Sequence, residues 1–316
     1  MGQQKDVFLS VPEWADFMDA HQYAAFLAVL DDEMERRGWS YELDGAAVVV
    51  EGDPPPRFGL VDLAKKCLQA QEDPERWPVV VAEHFNSLAR SGAEMERLER
   101  MSFEEVRALL RVRLYPPGLS ATVGRESLVA RRVAPCLDEV LVVDLPSVVV
   151  TVKPEIVAGW GREPDELLAL ARENLREEEV GHERVELDGG VVIELFEGES
   201  HFVASRVLVL DLDPNLEAPM GALVGMPNRH TMALHVIRDL QMQAEATRVM
   251  LGWLDQAHRE GPGSVSPHLF WLTPESELLQ FETEDAVDGS VSVIPPRRFV
   301  EEVLLPLSRR LESPGN

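Results

Sequence analysis

Cysteine is scarce in this chain, which has only Cys67 and Cys136 among its 316 residues. Two cysteines are too few for a disulfide framework. Both lie among apolar residues, where a free cysteine usually packs as a small hydrophobic side chain. Because such usage is typical of a reducing compartment, we predict a cytoplasmic location for this chain.

Long hydrophobic runs are also absent. The longest apolar stretch, 140–152, is interrupted by Asp144 and Pro146 and is shorter than the roughly 20 residues that cross a membrane. The first residues include Asp6 and Asp16, where a signal peptide has an uncharged hydrophobic segment. The sequence therefore predicts neither a membrane partner nor secretion.

Positive charge is low as well. Lys and Arg number 30 against 56 Asp and Glu, which gives a formal net charge of −26. Such a chain repels a nucleic-acid backbone and an anionic membrane surface. The acidic residues alternate with apolar ones along predicted helices, which is typical of solvated faces and not of nucleic-acid mimicry. We therefore predict a protein partner, with a basic partner favoured, and no nucleic-acid partner.

What the sequence does contain is apolar periodicity typical of an α+β fold, and its 45% hydrophobic residues are enough for a core. The pattern predicts mostly antiparallel sheets with helices packed on one face. Helices are predicted over residues 13–37 (ending at Gly38), 60–70, 77–90, 154–159, 164–179, 202–210, 240–257 and 299–311. Strands are predicted over 39–52, 109–115, 139–152, 182–198, 222–237 and 268–281, mainly as hairpins, with the strands of 139–152 buried on both faces.

The two halves of the chain show a similar order of elements. Glu42–Gly45 and Glu186–Gly189 carry the same Glu-Leu-Asp-Gly segment, and Asp-Gly is a favoured dipeptide for a hairpin turn. One interpretation is an internal duplication of an α-β-β-α-β-β unit, and the alternative is coincident turn chemistry. We predict an N-terminal half over 1–152 and a C-terminal half over 153–316.

Histidine spacing gives no indication of a metal site. His230 and His235 are five residues apart, so they point in different directions on either a strand or a helix. His230 is interpreted as a turn residue and His235 as a strand residue. In the predicted hairpin 222–237, Pro227 and Asn228 suit the central positions of a type I turn. We predict no metal and no cofactor.

Nucleophile and phosphate motifs give no catalytic residue either. Ser205 and Ser266 do not lie in a G-x-S-x-G elbow, and a neighbouring His268 in sequence does not orient an imidazole toward a hydroxyl. The glycines at Gly261 and Gly263 follow a predicted helix, whereas a phosphate-binding loop opens one. A structural role is therefore favoured for these residues.

Four segments between Leu109 and Phe281 resemble the YtpQ-like family, a bacterial family of soluble domains. They are the D-L-P hairpin at 144–152, the W-G and E-L-L-x-L-A segment at 160–171, F-V-A-S-R at 202–206 and V-x-x-P-N-R at 224–229. The family often has an acidic residue before its A-S-R, where this chain has Val203. The resemblance implies a fold and a bacterial source, and it supplies no catalytic residues.

These observations favour a non-catalytic protein-interaction or regulatory function. The alternative is an enzyme or a small-anion-binding protein. It would use a polar cluster that converges if the Phe202 segment packs beside the Val224 hairpin: Ser205, Arg206, Asn228, Arg229, His230 and His268. The sequence does not specify an oligomeric state.

Overall fold

The computed structural model of the protein describes residues 10–70, 74–210, 218–285 and 291–312. Asp6, which argues against a signal peptide, lies outside these ranges. The chain forms two compact units, Met1–Glu94 with Arg259–Pro262 and Met95–His258 with Gly263–Asn316. The predicted boundary between residues 152 and 153 lies inside the second unit, because Val152 and Val157 on either side of it belong to one core.

The first unit packs helices on a small sheet. Its elements are α1 (Ala20–Arg37), β1 (Tyr41–Asp44), β2 (Ala47–Val50), β3 (Arg57–Gly59), α2 (Val61–Gln69) and the start of α3 (Trp77–Leu98). The strands form an antiparallel sheet in the order β1-β2-β3. Fully buried aromatic and aliphatic side chains, including Phe26, Leu63 and Phe85, form its core.

Helix α1 begins later than predicted. Glu13–Ala15 forms a separate 3-10 turn, and the helix starts at Ala20. The cause is a capping box, in which the Asp19 carboxylate accepts from the Gln22 N–H and the Gln22 side chain accepts from the Asp19 N–H, both at 2.8 Å. The helix ends at Gly38, as predicted, in the left-handed conformation with φ of 68°.

From Phe103 onward the chain alternates strands and helices. The strands are β4 (Leu110–Tyr115), β5 (Ala130–Ala134), β6 (Leu137–Leu145), β7 (Val148–Thr151), β8 (Gly181–Leu187), β9 (Val191–Glu197), β10 (Ala222–Asn228), β11 (Thr231–Val236), β12 (Leu269–Leu272), β13 (Leu278–Gln280), β14 (Glu282–Asp285) and β15 (Val291–Ile294). The helices are α4 (Phe103–Val106), α5 (Gly118–Val123), α6 (Pro154–Trp160), α7 (Pro164–Arg176), α8 (Leu240–Glu260), α9 (Arg297–Phe299) and α10 (Leu305–Glu312). A π-helical turn, Val300–Leu304, joins α9 to α10.

A six-stranded sheet dominates the second unit, with strand order β13-β12-β10-β11-β9-β8. One face packs on α8 and the C-terminal helix through a core that includes Ala233, Met250, Leu254, Trp271 and Phe299. The opposite face packs on a 3-10 turn, Ala204–Val209, where an apolar helix is predicted. Strand β8 forms one edge of this sheet.

A four-stranded sheet is built around β6. Strand β4 pairs with one edge of β6, and β5 and β7 pair with successive parts of the other edge. Side chains of α7, such as Leu168 and Ala171, pack in the same core as Val142. Strand β6 is almost fully buried, as predicted. Strand β7 is predicted to be buried as well, but all four of its residues are only half-buried.

Two adjacent carboxylates on β6 are fully buried. Asp138 accepts from Arg132 Nε at 2.6 Å and from the Ser120 hydroxyl at 2.8 Å. Burial acts to raise the pKa of Asp138, but these hydrogen bonds and the nearby positive charges outweigh it and hold the pKa below its usual value. Glu139 accepts from Arg172 at 2.6 and 2.8 Å and from Arg131 at 3.2 Å. Each buried charge is therefore paired.

These sheets confirm the predicted α+β class, and every strand pair in the described ranges is antiparallel. The internal duplication is not confirmed. The matched Asp-Gly segments form different turns, since β1 and β2 are joined by Gly45 and Ala46, whereas β8 and β9 are joined by 188–190. Across the part of the chain that is described, no helix is long and apolar enough to cross a membrane.

Candidate functional site

Three of the predicted site residues meet at the β10–β11 hairpin. The prediction that Pro227 and Asn228 form the turn is wrong, because β10 extends to Asn228 and the turn consists of Arg229 and His230. The Asn228 side-chain oxygen accepts from the His230 N–H at 2.9 Å, an Asx-type contact that closes the turn locally. The strand pairing also shifts register between Gly225 and Asn228.

The Arg229 and His230 side chains are engaged within this hairpin. Arg229 Nε donates to His230 Nε2 at 3.0 Å. His230 Nδ1 therefore carries the ring proton, and it lies 3.0 Å from the Ser200 carbonyl oxygen and 3.2 Å from that of Gly198. A Cβ atom on Gly263 would lie 2.6 Å from the Arg229 side chain. The contacts fix the hairpin against its neighbouring loops.

Ser205 and Arg206 lie on the 3-10 turn Ala204–Val209. This turn lies beside the hairpin, because the Ala204 N–H donates to the Arg229 carbonyl at 3.3 Å. A polar cluster formed by the Phe202 segment and the Val224 hairpin requires this arrangement. Their side chains point to other elements. The buried Ser205 hydroxyl accepts from the Leu114 N–H at 3.0 Å. Arg206 donates to the carbonyls of Leu175 and Arg176 at 3.0 and 2.7 Å, and so caps the end of α7. Burial lowers the pKa of Arg206.

His268 gives no indication of nucleophile activation at Ser266. The contact between them runs from the His268 backbone N–H to the Ser266 hydroxyl at 3.2 Å, and not from the imidazole ring. The same hydroxyl lies 3.5 Å from the Cys136 sulfur. Burial raises the pKa of the Cys136 thiol and lowers the pKa of His268, so both groups are neutral near pH 7.

The six predicted residues are thus only partly brought together. Asn228, Arg229 and His230 share one hairpin turn, whereas Arg206 binds α7 and Ser205 binds β4. A common ligand site for all six stays a prediction. For metals, the described ranges contain no group of three or more His, Cys, Asp or Glu side chains that could hold an ion.

A different feature, the outer edge of β8, is more accessible. Among the described strands, β8 pairs only with β9, over seven residue pairs from Gly181–Glu197 to Leu187–Val191. Most of its residues are exposed, and only Val185 and Leu187 are half-buried. An edge strand presents a row of unpaired N–H and C=O groups. The alternating pattern predicts the strand, but its edge position follows only from the strand order.

The two faces of β8 differ in charge balance. On one face, Glu194 of β9 lies 2.9 Å from His182 Nε2 and 3.9 Å from Arg184 Nε. On the other face, Glu183 and Glu197 are diagonal neighbours, and neither has an ion pair in the described part of the chain. Burial, followed by the charge of Glu183, raises the pKa of Glu197. This edge therefore carries like charges that lack a cation.

Comparison with known proteins finds no matching family model, no matching curated protein and no matching solved structure. The resemblance to the YtpQ-like family accordingly stays a prediction, and no function is transferred to the chain from a relative.

Proposed function

We propose that this chain is a non-catalytic protein-interaction protein, and that the outer edge of β8 accepts an extended, basic segment of its partner. The observation that carries the proposal is the seven-residue strand β8, which is exposed and, within the described part of the chain, pairs on one side only. A partner strand would gain main-chain hydrogen bonds along this edge, and its alternate side chains would provide specificity.

The acidic surroundings of β8 support a basic partner. Glu183 and Glu197 lie on one face, and Glu186 is exposed on the other. Glu177 and Glu179, which precede the strand, are exposed and have no ion pair within the described residues. Opposite charges on facing strand positions are favourable, whereas like charges are unfavourable, so a lysine- or arginine-bearing strand suits this edge.

The alternative, an enzyme or small-anion site around Arg206, Arg229 and His268, has weaker support. Arg206 is engaged by the end of α7, and Arg229 by His230. A ligand that used both guanidinium groups would first have to displace these contacts. We therefore place the interaction function first.

The test uses a synthetic seven-residue peptide that alternates lysine and valine, with a glutamate–valine peptide of equal length as the control. We expect the lysine peptide to bind by calorimetry and to slow hydrogen exchange of the β8 amides, because a paired edge is protected. The charge-reversing pair Glu183→Lys and Glu186→Lys should weaken binding by about fivefold in total, because the lysines of an alternating peptide lie on one face and meet only one of these two residues, and a facing charge pair contributes up to about 1 kcal/mol.

A matched control reverses two exposed acidic residues of α1, with Asp32→Lys and Glu35→Lys, and so changes net charge by the same amount away from β8. We expect this variant to bind the lysine peptide nearly as well as the unaltered chain. Equal weakening by both variants, or protection of amides elsewhere than β8, would refute strand addition at this edge.

A further inference from the structure

A cleft of about 670 Å³ lies in the second unit, between the segment that follows α3 and helix α6. One wall is formed by residues 99–103 and the other by residues from the range 153–160. This volume is within the usual range for sites that bind small molecules. The floor is apolar and belongs to one hydrophobic core, with Met101 buried and three residues half-buried: Phe103, Ile156 and Trp160.

The two walls of the cleft are held together by a hydrogen bond. The Trp160 indole N–H donates to the Met101 carbonyl at 3.1 Å, which fixes the ring against the segment 99–103. On the same segment, the Arg162 guanidinium lies over the Phe103 ring, 4.5 Å from its centroid. The cleft is therefore formed without a ligand, and a preorganised site lowers the entropy cost of binding.

The charged side chains that line the cleft are exposed and balanced in sign. They are Glu99, Arg100, Lys153 and Glu155. Within the described residues, none of the four has an ion pair or a side-chain hydrogen bond. A simple anion would meet two acids as well as two cations, and a simple cation would meet the same balance. A ligand with one charge of each sign gains from both pairs.

The geometry points to a binding site for a small zwitterion with an apolar side chain, which is the chemistry of an apolar amino acid or dipeptide. The ligand carboxylate binds the two basic side chains, the ammonium group binds the two acidic ones, and the apolar part lies on the floor beside Trp160. This site goes beyond strand addition at β8, since none of the described lining residues belongs to that strand.

Gly159 keeps open the space that such a ligand occupies. It lines the cleft and precedes the last residue of α6. A Cβ atom at this position would meet open space, with no contact within 4 Å outside its own helix backbone. Glycine is unfavourable inside a helix, so the geometry of α6 gives no reason for it. A larger side chain here is therefore compatible with the fold and fills part of the cleft.

The test titrates the ¹⁵N-labelled full chain with L-phenylalanine, 3-phenylpropionate and 2-phenylethylamine, and follows the Trp160 indole N–H resonance. The second probe lacks the ammonium group and the third lacks the carboxylate. We expect phenylalanine to bind about tenfold more tightly than either, because it alone engages both pairs of charges. Phenylalanyl-leucine is titrated in the same way, and the tighter of the two zwitterions identifies the ligand as an amino acid or a dipeptide.

Two double variants assign the two ends of the ligand. Arg100→Gln with Lys153→Gln should weaken phenylalanine and phenylpropionate by about tenfold and leave phenylethylamine no weaker. Glu99→Gln with Glu155→Gln should weaken phenylalanine and phenylethylamine by a similar factor and leave phenylpropionate no weaker. All four side chains are exposed, so the fold is kept in both variants.

A steric variant tests the position of the ligand. Gly159→Leu should weaken all probes by at least tenfold, because its side chain occupies the cleft. Gly252→Leu is the matched control, since Gly252 is exposed on α8 and a Cβ atom there also meets open space. Arg309→Gln with Arg310→Gln removes two exposed charges of α10 and is the control for net charge. Both controls should bind phenylalanine as the unaltered chain does.

The proposal is overturned if neither zwitterion binds more tightly than the single-charge probes, or if binding leaves the Trp160 resonance unchanged. It also fails if Gly159→Leu binds phenylalanine as well as Gly252→Leu does, or if each double variant weakens all three phenyl probes equally. Binding of the lysine peptide to β8 is measured separately, so either site can fail without the other.

Discussion

Asp138 and Glu139 illustrate how this protein tolerates buried charge. They are neighbours on β6 and point to opposite faces, and each is 0% exposed. Their arginine partners keep part of their surface in solvent, with Arg172 31% and Arg132 41% exposed. The guanidinium groups therefore neutralise the carboxylates without being fully desolvated themselves, which limits the cost of burial.

Removal of Arg172 provides a test at this scale. Arg172→Ala leaves Arg131 as the one described ion-pair partner of Glu139. We therefore expect a loss of about 3 kcal/mol in the free energy of unfolding, at the low end of the range for breaking a buried pair. The measurement is urea denaturation at pH 7. Arg107→Ala, whose partner Glu104 is 69% exposed, is the control and should cost less than about 1 kcal/mol. Equal losses would show that the Glu139 pair does not stabilise the fold.

The candidate site residues were only partly predictable from sequence. Asn228 and His230 lie two residues apart in the hairpin 222–237 that the sequence predicts, and their contact is local. The roles of Arg206 and His235 depend on carbonyl groups of residues 175–176 and 192, which are far away in the chain. A sequence shows which side chains can donate, but it does not show which distant carbonyl groups lack a donor. His235 was therefore interpreted simply as a strand residue.

At the scale of elements, Gly225 controls how closely α8 approaches the six-stranded sheet. It lies on β10, and a Cβ atom there would be 2.3 Å from the Leu254 side chain, which is fully buried. The absence of a side chain at this position lets the helix pack directly over the strand. Glycine is needed at this position because a side chain would not fit against Leu254, and not because the backbone adopts a conformation that favours glycine.

A double substitution tests this packing. Gly225→Ala should destabilise the protein by about 1–3 kcal/mol, because the added methyl group overpacks a closed core. Leu254→Ala alone should also destabilise, through a cavity. The two together should cost less than the sum of the single changes, since the methyl fills part of that cavity. Additive losses in thermal or urea denaturation would argue against a direct contact.

Elements with strong periodicity were predictable. Helices α2 and α7 and strand β4 lie close to the predicted ranges because their apolar residues recur with a regular period. Strand β6 was predictable because its apolar run is nearly continuous, which is typical of a strand buried on both faces. Strand β5 was missed, since its sequence Ala-Arg-Arg-Val-Ala has charged residues in consecutive positions. It forms because β6 supplies hydrogen-bond partners and buried acids, which is tertiary information.

At the scale of the whole molecule, charge is the dominant property. A formal net charge of −26 opposes compaction through self-repulsion. The α+β class followed from local patterns, but the division into units did not. The two units are built from segments discontinuous in sequence, and no local composition change marks a boundary of that kind.

Salt should therefore stabilise the protein. Raising NaCl from about 0.01 M to about 0.1 M shortens the screening length from roughly 30 Å to roughly 10 Å. We expect the thermal midpoint at pH 7 to rise by about 2–4 °C, the shift that about 1 kcal/mol gives a domain of 150–250 residues. Near pH 5, close to the sequence pI of about 4.6, the same salt change should have a smaller effect. A salt response independent of pH would argue against self-repulsion.

The paired acids of β6 also set an order of events during synthesis. Arg172 follows Glu139 by 33 residues, so at roughly 5–20 residues per second it leaves the ribosome about 2–7 s later. Until then, Arg131 is the one described ion-pair partner of Glu139 that has been synthesised, whereas the described arginine partners of Asp138, Arg125 and Arg132, both precede it in the chain. Strand β6 can pair with β5 during this interval, but helix α7, which packs in the same hydrophobic core, has not yet been synthesised. The face of β6 that α7 covers in the folded protein therefore stays in water until α7 has been synthesised.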